Sequence, residues 1–107
     1  MRAISHPAPD DIELPAVMAA LSDPVRVTIL RTLAGGGEVA CGTIPLPVSN
    51  ATRSHHFRVL REAGLTWTRP VGTHKYVSLR RDCLDERFPG LLDAVLAAAG
   101  TSASQPV

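Results

Sequence analysis

The sequence predicts a mainly α-helical domain with one small β-hairpin. Three observations carry that expectation. Residues 49–65, SNATRSHHFRVLREAGL, form an uninterrupted stretch with two distinct helical faces. Apolar residues recur at helical spacing before it, at Val25, Ile29, Leu30 and Leu33, and after it, at Leu91, Leu92, Val95 and Leu96. Between the last two helices, alternating runs on either side of Pro70-Val71-Gly72-Thr73 read as two strands and a turn. With 107 residues, the chain suffices for one domain with one modest core.

Residues 1–10 contain two prolines among small and polar residues, and are expected to be a disordered arm. The domain proper is expected over 11–99, and 100–107 as a loose tail behind Gly100. Asp11 to Leu21 reads as a first short helix. Pro15 fits only its first turn, so the regular part begins near Leu14. Val17, Met18 and Leu21 make an apolar stripe, suited to the core or to a subunit contact. Asp23 caps the second helix and Pro24 takes its first position. This helix runs to about Ala34 and stops at Gly35-Gly36-Gly37. Arg26 falls inside its buried arc. Two readings stay open: a buried stem paired with a carboxylate, or a side chain emerging to touch a phosphate.

Glu38-Val39-Ala40 has room for a very short strand. From Cys41 to Val48, Pro45 and Pro47 forbid a long helix, and at most one turn fits, with Thr43 as a candidate cap. Ser49 then caps the central helix and Gly64 ends it. Leu65 to Arg69 and His74 to Leu79 are the strands, with Arg69, His74 and Lys75 near the tip of their hairpin. Asp82 is expected to cap a short turn from Cys83, and Pro89 to open a final helix ending near Ala99.

At 100° per residue the central helix divides cleanly. Asn50, Ala51, Ser54, His55, Arg58, Arg61 and Glu62 share one arc; Thr52, Arg53, His56, Phe57, Val59, Leu60 and Ala63 share the other. Asn, Ser, Arg and His hydrogen-bond base edges and phosphates, and they crowd the N-terminal half, the end that a reading helix points into a major groove. A solvated surface helix is the alternative, but such helices usually carry Glu and Lys on their first turns, and this one has neither there. The net charge of +1 conceals an uneven distribution. Residues 49–81 hold seven basic side chains against one acid, Glu62, while the rest of the chain holds four basic and nine acidic ones. A basic third on a nearly neutral protein suits attraction to a polyanion.

Other classes find less support. No apolar run approaches the roughly 18 residues of a membrane span. MRAISHPAPDDIE lacks an apolar signal-peptide core, so the expected compartment is the cytoplasm. Cys41 and Cys83 do not make a disulfide framework. No nucleophile sits beside a base in a known motif, and Gly35–Gly37 lacks the Lys-Ser/Thr partner of a phosphate loop. The expectation is no enzyme. His55 and His56 face different ways, and His56 is read as a packed, hydrogen-bonded core residue.

The order helix, helix, short turn, basic-faced helix, basic-tipped hairpin, apolar helix is that of a winged helix-turn-helix. Within it, ALSDPVRVTILRTL, SNATRSHHFRVLREAGL and RPVGTHKYVSL resemble an ArsR-type transcriptional regulator over roughly residues 15–97. The resemblance implies a homodimer joined through its first and last helices. It also implies a repressor, released from double-stranded operator DNA by a metal ion or another inducer. Carried over by position, Ser49 to Ala63 is the DNA-reading helix, with Asn50, Ala51, Ser54, His55 and Arg58 facing bases. Leu65 to Leu79 is the wing, bringing Arg69, His74 and Lys75 to DNA. Arg53 departs from the apolar residue common in the family; in the first turn, its guanidinium could escape toward DNA.

The effector is less legible. Arsenic- and cadmium-type members carry a CxC pair before the reading helix, whereas VACG here has one Cys, and soft metals need the pair. Zinc- and nickel-type members place Asp and His on the last helix, whereas residues 82–99 contain acids but no His. No metal ligands are assigned and no cofactor is certain. A divalent metal held by an unconventional set, a thiol switch at Cys41 and Cys83, and control without a ligand stay open. The alternative to DNA binding is a small protein–protein interaction module.

Overall fold

The computed structural model describes residues 4–104. The expectations for residues 1–3 and 105–107 lie outside that range. Helix α1 spans Leu14–Ala20 with Pro15 in its first turn. Helix α2 spans Pro24–Leu33, and the Asp23 carboxylate accepts from the Val25 N–H at 2.8 Å. Burial pushes that carboxyl group's pKa up, but the N–H bonds from Val25 and Arg26 outweigh it and hold the pKa below its ordinary value. Helix α3 spans Asn50–Ala63, followed by strands β2, Thr66–Val71, and β3, His74–Leu79. Two helices close the chain, α4 at Arg81–Arg87 and α5 at Leu91–Ser104.

The core lies where α2, α3 and the hairpin meet. Ile29, Leu30 and Leu33 come from α2, Phe57, Leu60 and Ala63 from α3, and Val77 from β3. Val17, Leu84 and Leu92 seal it from α1, α4 and α5. Fully burying one such aliphatic side chain is worth about 1.5–3 kcal/mol, so Phe57, Leu60 and Ala63 anchor α3 from its middle to its end. Gly64 ends the helix in the left-handed region, φ 91°. There the Leu65 N–H reaches the Leu60 carbonyl at 3.0 Å and the Gly64 N–H reaches that of Arg61 at 3.1 Å. A methyl group at Gly64 would lie 2.5 Å from Cγ1 of Ile12, so glycine is required twice over.

Three features extend or depart from the sequence expectation. First, the very short strand for which residues 38–40 had room does form, and it joins the expected two-stranded hairpin to make a sheet of three. Val39–Ala40 is β1 and pairs antiparallel with β3, Val39 opposite Val77 and Ala40 opposite Tyr76, in the order β1-β3-β2. Two residues carry little local strand signal; the pairing is made by distant β3. Second, the segment expected as a disordered arm over 1–10 is docked from His6 onward. Its Nε2 accepts from the Thr68 N–H at 2.9 Å, on the outer edge of β2, and Arg80 donates to the Pro7 carbonyl at 2.8 Å. Pro9–Asp11 forms a 3₁₀ turn, and Ile12 is buried. Covering the free edge of a terminal strand is a common need of small sheets, but nothing local in the arm signals it.

Third, the C-terminal helices are longer than expected. Helix α4 begins at Arg81 rather than at an Asp82 cap, held by Arg81 pairing with Asp85 one turn on and with Asp93 of α5. Helix α5 begins after Pro89 and runs through Gly100. One glycine costs a helix only about 1 kcal/mol relative to alanine, and Ala97, Ala98 and Ala99 precede it.

Candidate nucleic-acid interface

Helix α3 is positioned by its two ends and its inner face. The Ser49 hydroxyl accepts from the Thr52 N–H at 3.2 Å, a cap worth about 1 kcal/mol. Asn50, Ala51, Ser54, His55 and Arg58 are all exposed on its outer face. Arg58 donates to Nδ1 of His55 at 3.3 Å, so the two side chains stand together one turn apart. His56 is turned inward, 6% exposed, and its Nδ1 accepts from Arg26 at 3.1 Å.

Arg26 thereby resolves to the first of its two readings in part. Its stem is buried, and its Nε donates to the Ala20 carbonyl at 2.7 Å, tying α1 to α2. Asp23 is 4.0 Å away, the margin of an ion pair. This guanidinium is committed to the scaffold.

Arg53 likewise does not escape toward solvent. Its Nη1 donates to the carbonyls of Cys41 and Ile44 at 3.1 and 2.7 Å. It replaces the packing that a full first helix of the motif would supply, because Cys41–Thr43 is only a 3₁₀ turn. Thr43 lies inside that turn and bonds back to Ala40, rather than capping a helix after it. The prolines at 45 and 47 leave the backbone there without helical bonds, and Arg53 ties the segment to α3.

The hairpin residues divide by face. Paired residues of adjacent strands point the same way. Thr68 on β2 and Lys75 and Val77 on β3 therefore turn toward α3, whereas Trp67, Arg69, His74 and Tyr76 turn away. His74 and Lys75 are both exposed next to the turn. Arg69 is not free: it forms a two-pronged pair with Glu38 at 2.7 and 2.8 Å and lies over the Tyr76 ring. That hydrogen bond holds the Glu38 carboxyl group's pKa below its ordinary range. Arg80, 1% exposed, stacks on Trp67 at 3.8 Å. Sequence reasoning placed Arg61 on the polar arc without giving it a role and passed over Thr68; both line a cleft between α3 and the hairpin.

Effector chemistry finds no assembled site. Among the described residues no group of three or more His, Cys, Asp and Glu is placed to hold a metal ion. Cys41 and Cys83 are free thiols. Burial pushes the Cys41 thiol's pKa up, with Lys75 and Arg53 only partly offsetting it, so Cys41 is a poor thiolate. No helix among the described residues is long and apolar enough to cross a membrane.

Comparison with known proteins agrees with the geometry. A helix-turn-helix domain model matches residues 21–66, from the end of α1 into β2. An uncharacterized HTH-type transcriptional regulator of Bacillus subtilis (strain 168), YceK, is 43% identical over 89 residues, covering 80% of this chain and 89% of that protein. The arsenical resistance operon repressor of Staphylococcus xylosus is 35% identical over 74 residues, 68% of this chain and 71% of the repressor. The crystal structure of an ArsR family transcriptional regulator superposes with a TM-score of 0.64 over 87% of this chain and 98% of its own, at 19% identity, a likeness of fold.

Proposed function

The chain belongs to the ArsR-type helix-turn-helix transcriptional regulators, and from that premise we propose how it engages DNA: as a homodimeric repressor that reads operator sequence with the outer face of α3. One observation carries this reading. Asn50, Ala51, Ser54 and His55 stand exposed together on the N-terminal half of a helix, with Arg58 one turn beyond Ser54, and the helix is buried on its other face from His56 on. These side chains offer the donors and acceptors that base edges match, and the N-terminal turns of such a helix are the part that enters a major groove. Lys75 and His74 at the wing tip supply contacts to phosphate. Arg53 and Arg69, committed to carbonyls and to Glu38, act on DNA only through the scaffold they hold.

The second copy is expected on α1 and α5. Leu14 and Met18 of α1 are 44% and 51% exposed, large apolar side chains on a helix beside the chain's terminal helix. A two-fold pairing there sets the two copies of α3 about 34 Å apart, one duplex turn. The domain responsible runs from the docked His6 through α5, in the cytoplasm.

Selection from a random duplex pool tests the reading. The expected outcome is an enriched palindrome with half-sites one helical turn apart, bound by a dimer in sedimentation. A chain that stays monomeric with DNA, or enriches nothing, would contradict it. A protein–protein module would bind no duplex at low salt.

A further inference from the structure

The reading helix and the wing meet at Gly64, and one short segment crosses that joint. Ile12, 1% exposed, packs against Gly64 so closely that an added methyl group would overlap it. Upstream, His6 accepts from the Thr68 N–H at 2.9 Å, on the outer strand of the sheet. Arg80 donates to the Pro7 carbonyl at 2.8 Å, and Arg87 donates to the Ile12 carbonyl. One end of the segment thus holds the end of α3, and the other holds β2.

The His6 end depends on one proton. Its Nε2 accepts only while it carries no hydrogen, because a protonated ring is a donor at both nitrogens. A protonated ring would turn an N–H toward the Thr68 N–H, and the bond would be lost. The charges acting on the ring are those of Arg80, just before α4, and Arg61 of α3, both positive. From β2 it meets the Trp67 ring, edge to face at 5.1 Å, and the Thr68 N–H. Burial first, then the two arginines, favour the neutral ring and hold its pKa below 6.5. A backbone carbonyl would serve the same strand edge at every pH; a ring nitrogen makes the bond conditional.

We propose that residues 6–12 are a pH-operated strap: the neutral His6 ring closes it across the joint between α3 and the wing, and a proton on that ring opens it and frees the wing. The neutral ring is the folded protein's preferred form, so the strap is closed above pH 6.5 and opens as pH falls through the lowered folded value. A freed wing holds Lys75 and His74 less firmly against phosphate, so duplex binding weakens as the strap opens. That consequence rests on the DNA reading above; the opening itself is read without DNA.

The test uses the full chain, wild type and His6→Gln, over a pH series. Gln offers an acceptor that no proton removes in that range. Trp67 is the chain's one tryptophan and touches both His6 and Arg80, so its fluorescence reports the strap directly. Without DNA, the wild type should lose Thr68 amide protection and change its Trp67 emission in one step below pH 6.5, while His6→Gln stays flat. A flat wild type, or the same step in His6→Gln, would overturn the proposal.

Random duplex is then added at each pH. Protonation of the exposed His55 and His74 adds charge toward DNA in both proteins, so the quantity read is the ratio of their affinities. Wild type relative to His6→Gln should fall about fivefold across the step, the scale of one hydrogen bond. A constant ratio would overturn the link from strap to wing. Should Gln fail to hold the arm, Thr68 loses protection in the variant at every pH. The variant is then the open state, expected to bind about fivefold more weakly than wild type at roughly pH 8, where histidine is neutral; equal binding there would overturn the proposal. A chain that shows the step and binds no duplex at any pH would defeat the DNA reading and leave the strap standing.

Discussion

Basic side chains on the two sides of the hairpin are used in opposite ways. On the face turned away from α3, positive charge is spent on the fold. Arg69 is neutralised by Glu38, and Arg80 lies on Trp67 while bonding the Pro7 carbonyl. On the face turned toward α3, Lys75 meets Arg53, Arg58 and Arg61 with no acid in the lining. The basic third of the chain is therefore not a uniform polyanion surface. Counting Lys and Arg predicts attraction to DNA in general; only their partners tell which of them remains available. Arg53, Arg69 and Arg80 hold the platform; on the proposed reading, recognition falls to the side chains left over.

The comparison breaks most severely where the two faces join. Gly64 links α3 to β2 and sits against Ile12. Gly64→Ala combines a left-handed backbone with overlap at Ile12, and an expected loss of about 2–4 kcal/mol follows from the two effects together. Chemical denaturation measures it. A loss below half a kcal/mol would mean that the Ile12 side chain yields freely and that the arm is not tightly docked.

The reading face comes next. Ser54→Ala and Arg58→Ala should each lose roughly 1–3 kcal/mol of discrimination between the selected duplex and random duplex, where a good base contact is removed. Arg53→Ala should instead lower stability by about 1–3 kcal/mol, the range for hydrogen bonds from a charged group, with little change in discrimination by the folded fraction. The opposite outcome, a stable Arg53→Ala protein that has lost sequence preference, would return Arg53 to the DNA.

Lys75 and Arg69 sharpen the contrast between faces. Lys75→Ala should reduce the slope of log affinity against log salt by about one unit on any sequence. Arg69→Ala, which exposes Glu38 without removing a free cation, should leave binding to DNA nearly proportional to wild type across salt. Equal slopes for the two variants would show that the Glu38 pair opens on DNA.

The smallest effect concerns the arm. The Nε2 of His6 accepts a hydrogen bond from Thr68, so the docked arm needs the neutral ring. Burial first, then the charges of Arg80 and Arg61, hold its pKa below the ordinary 6.5. The neutral form is thus favoured in the folded protein. Its contribution to stability is full above pH 6.5 and is lost as pH falls from there through the lowered folded value. Amide exchange at Thr68 should accelerate over that window in wild type, and His6→Gln should remove the pH dependence. Exchange that is flat across the window would place the ring elsewhere.

Legibility followed the range of the forces. Asp23-Pro24, Ser49 and Gly64 act on their neighbours, and the elements they start or stop are where those residues put them; of the turn expected over Pro70–Thr73 only Gly72-Thr73 turns, because Pro70 and Val71 extend β2 opposite Lys75 and His74. The outer and inner arcs of α3 were likewise visible, down to His56 facing in, because one helix's periodicity decides both. What escaped was long-range. The partner of β1, the Arg69–Glu38 pair 31 residues apart and the His6–Thr68 bond 62 apart are invisible to any local window. Arg53 shows the limit from another side: its position on the wheel was right, and its partners, two carbonyls freed by a degenerate turn, could be named only once that turn was folded. The Arg61–Thr68 cleft joins a helix to a strand and had no signature in either.

The most direct test of the DNA-reading assignment is competition between the selected duplex and random duplex at several salt concentrations, for wild type, Ser54→Ala and Arg58→Ala. The expected result is that each substitution shrinks the ratio of the two affinities about fivefold or more, at roughly 1 kcal/mol or above per lost base contact, while binding to random duplex changes far less. If both variants lose affinity equally for the two duplexes, the outer face of α3 contacts only the backbone, and sequence is read elsewhere.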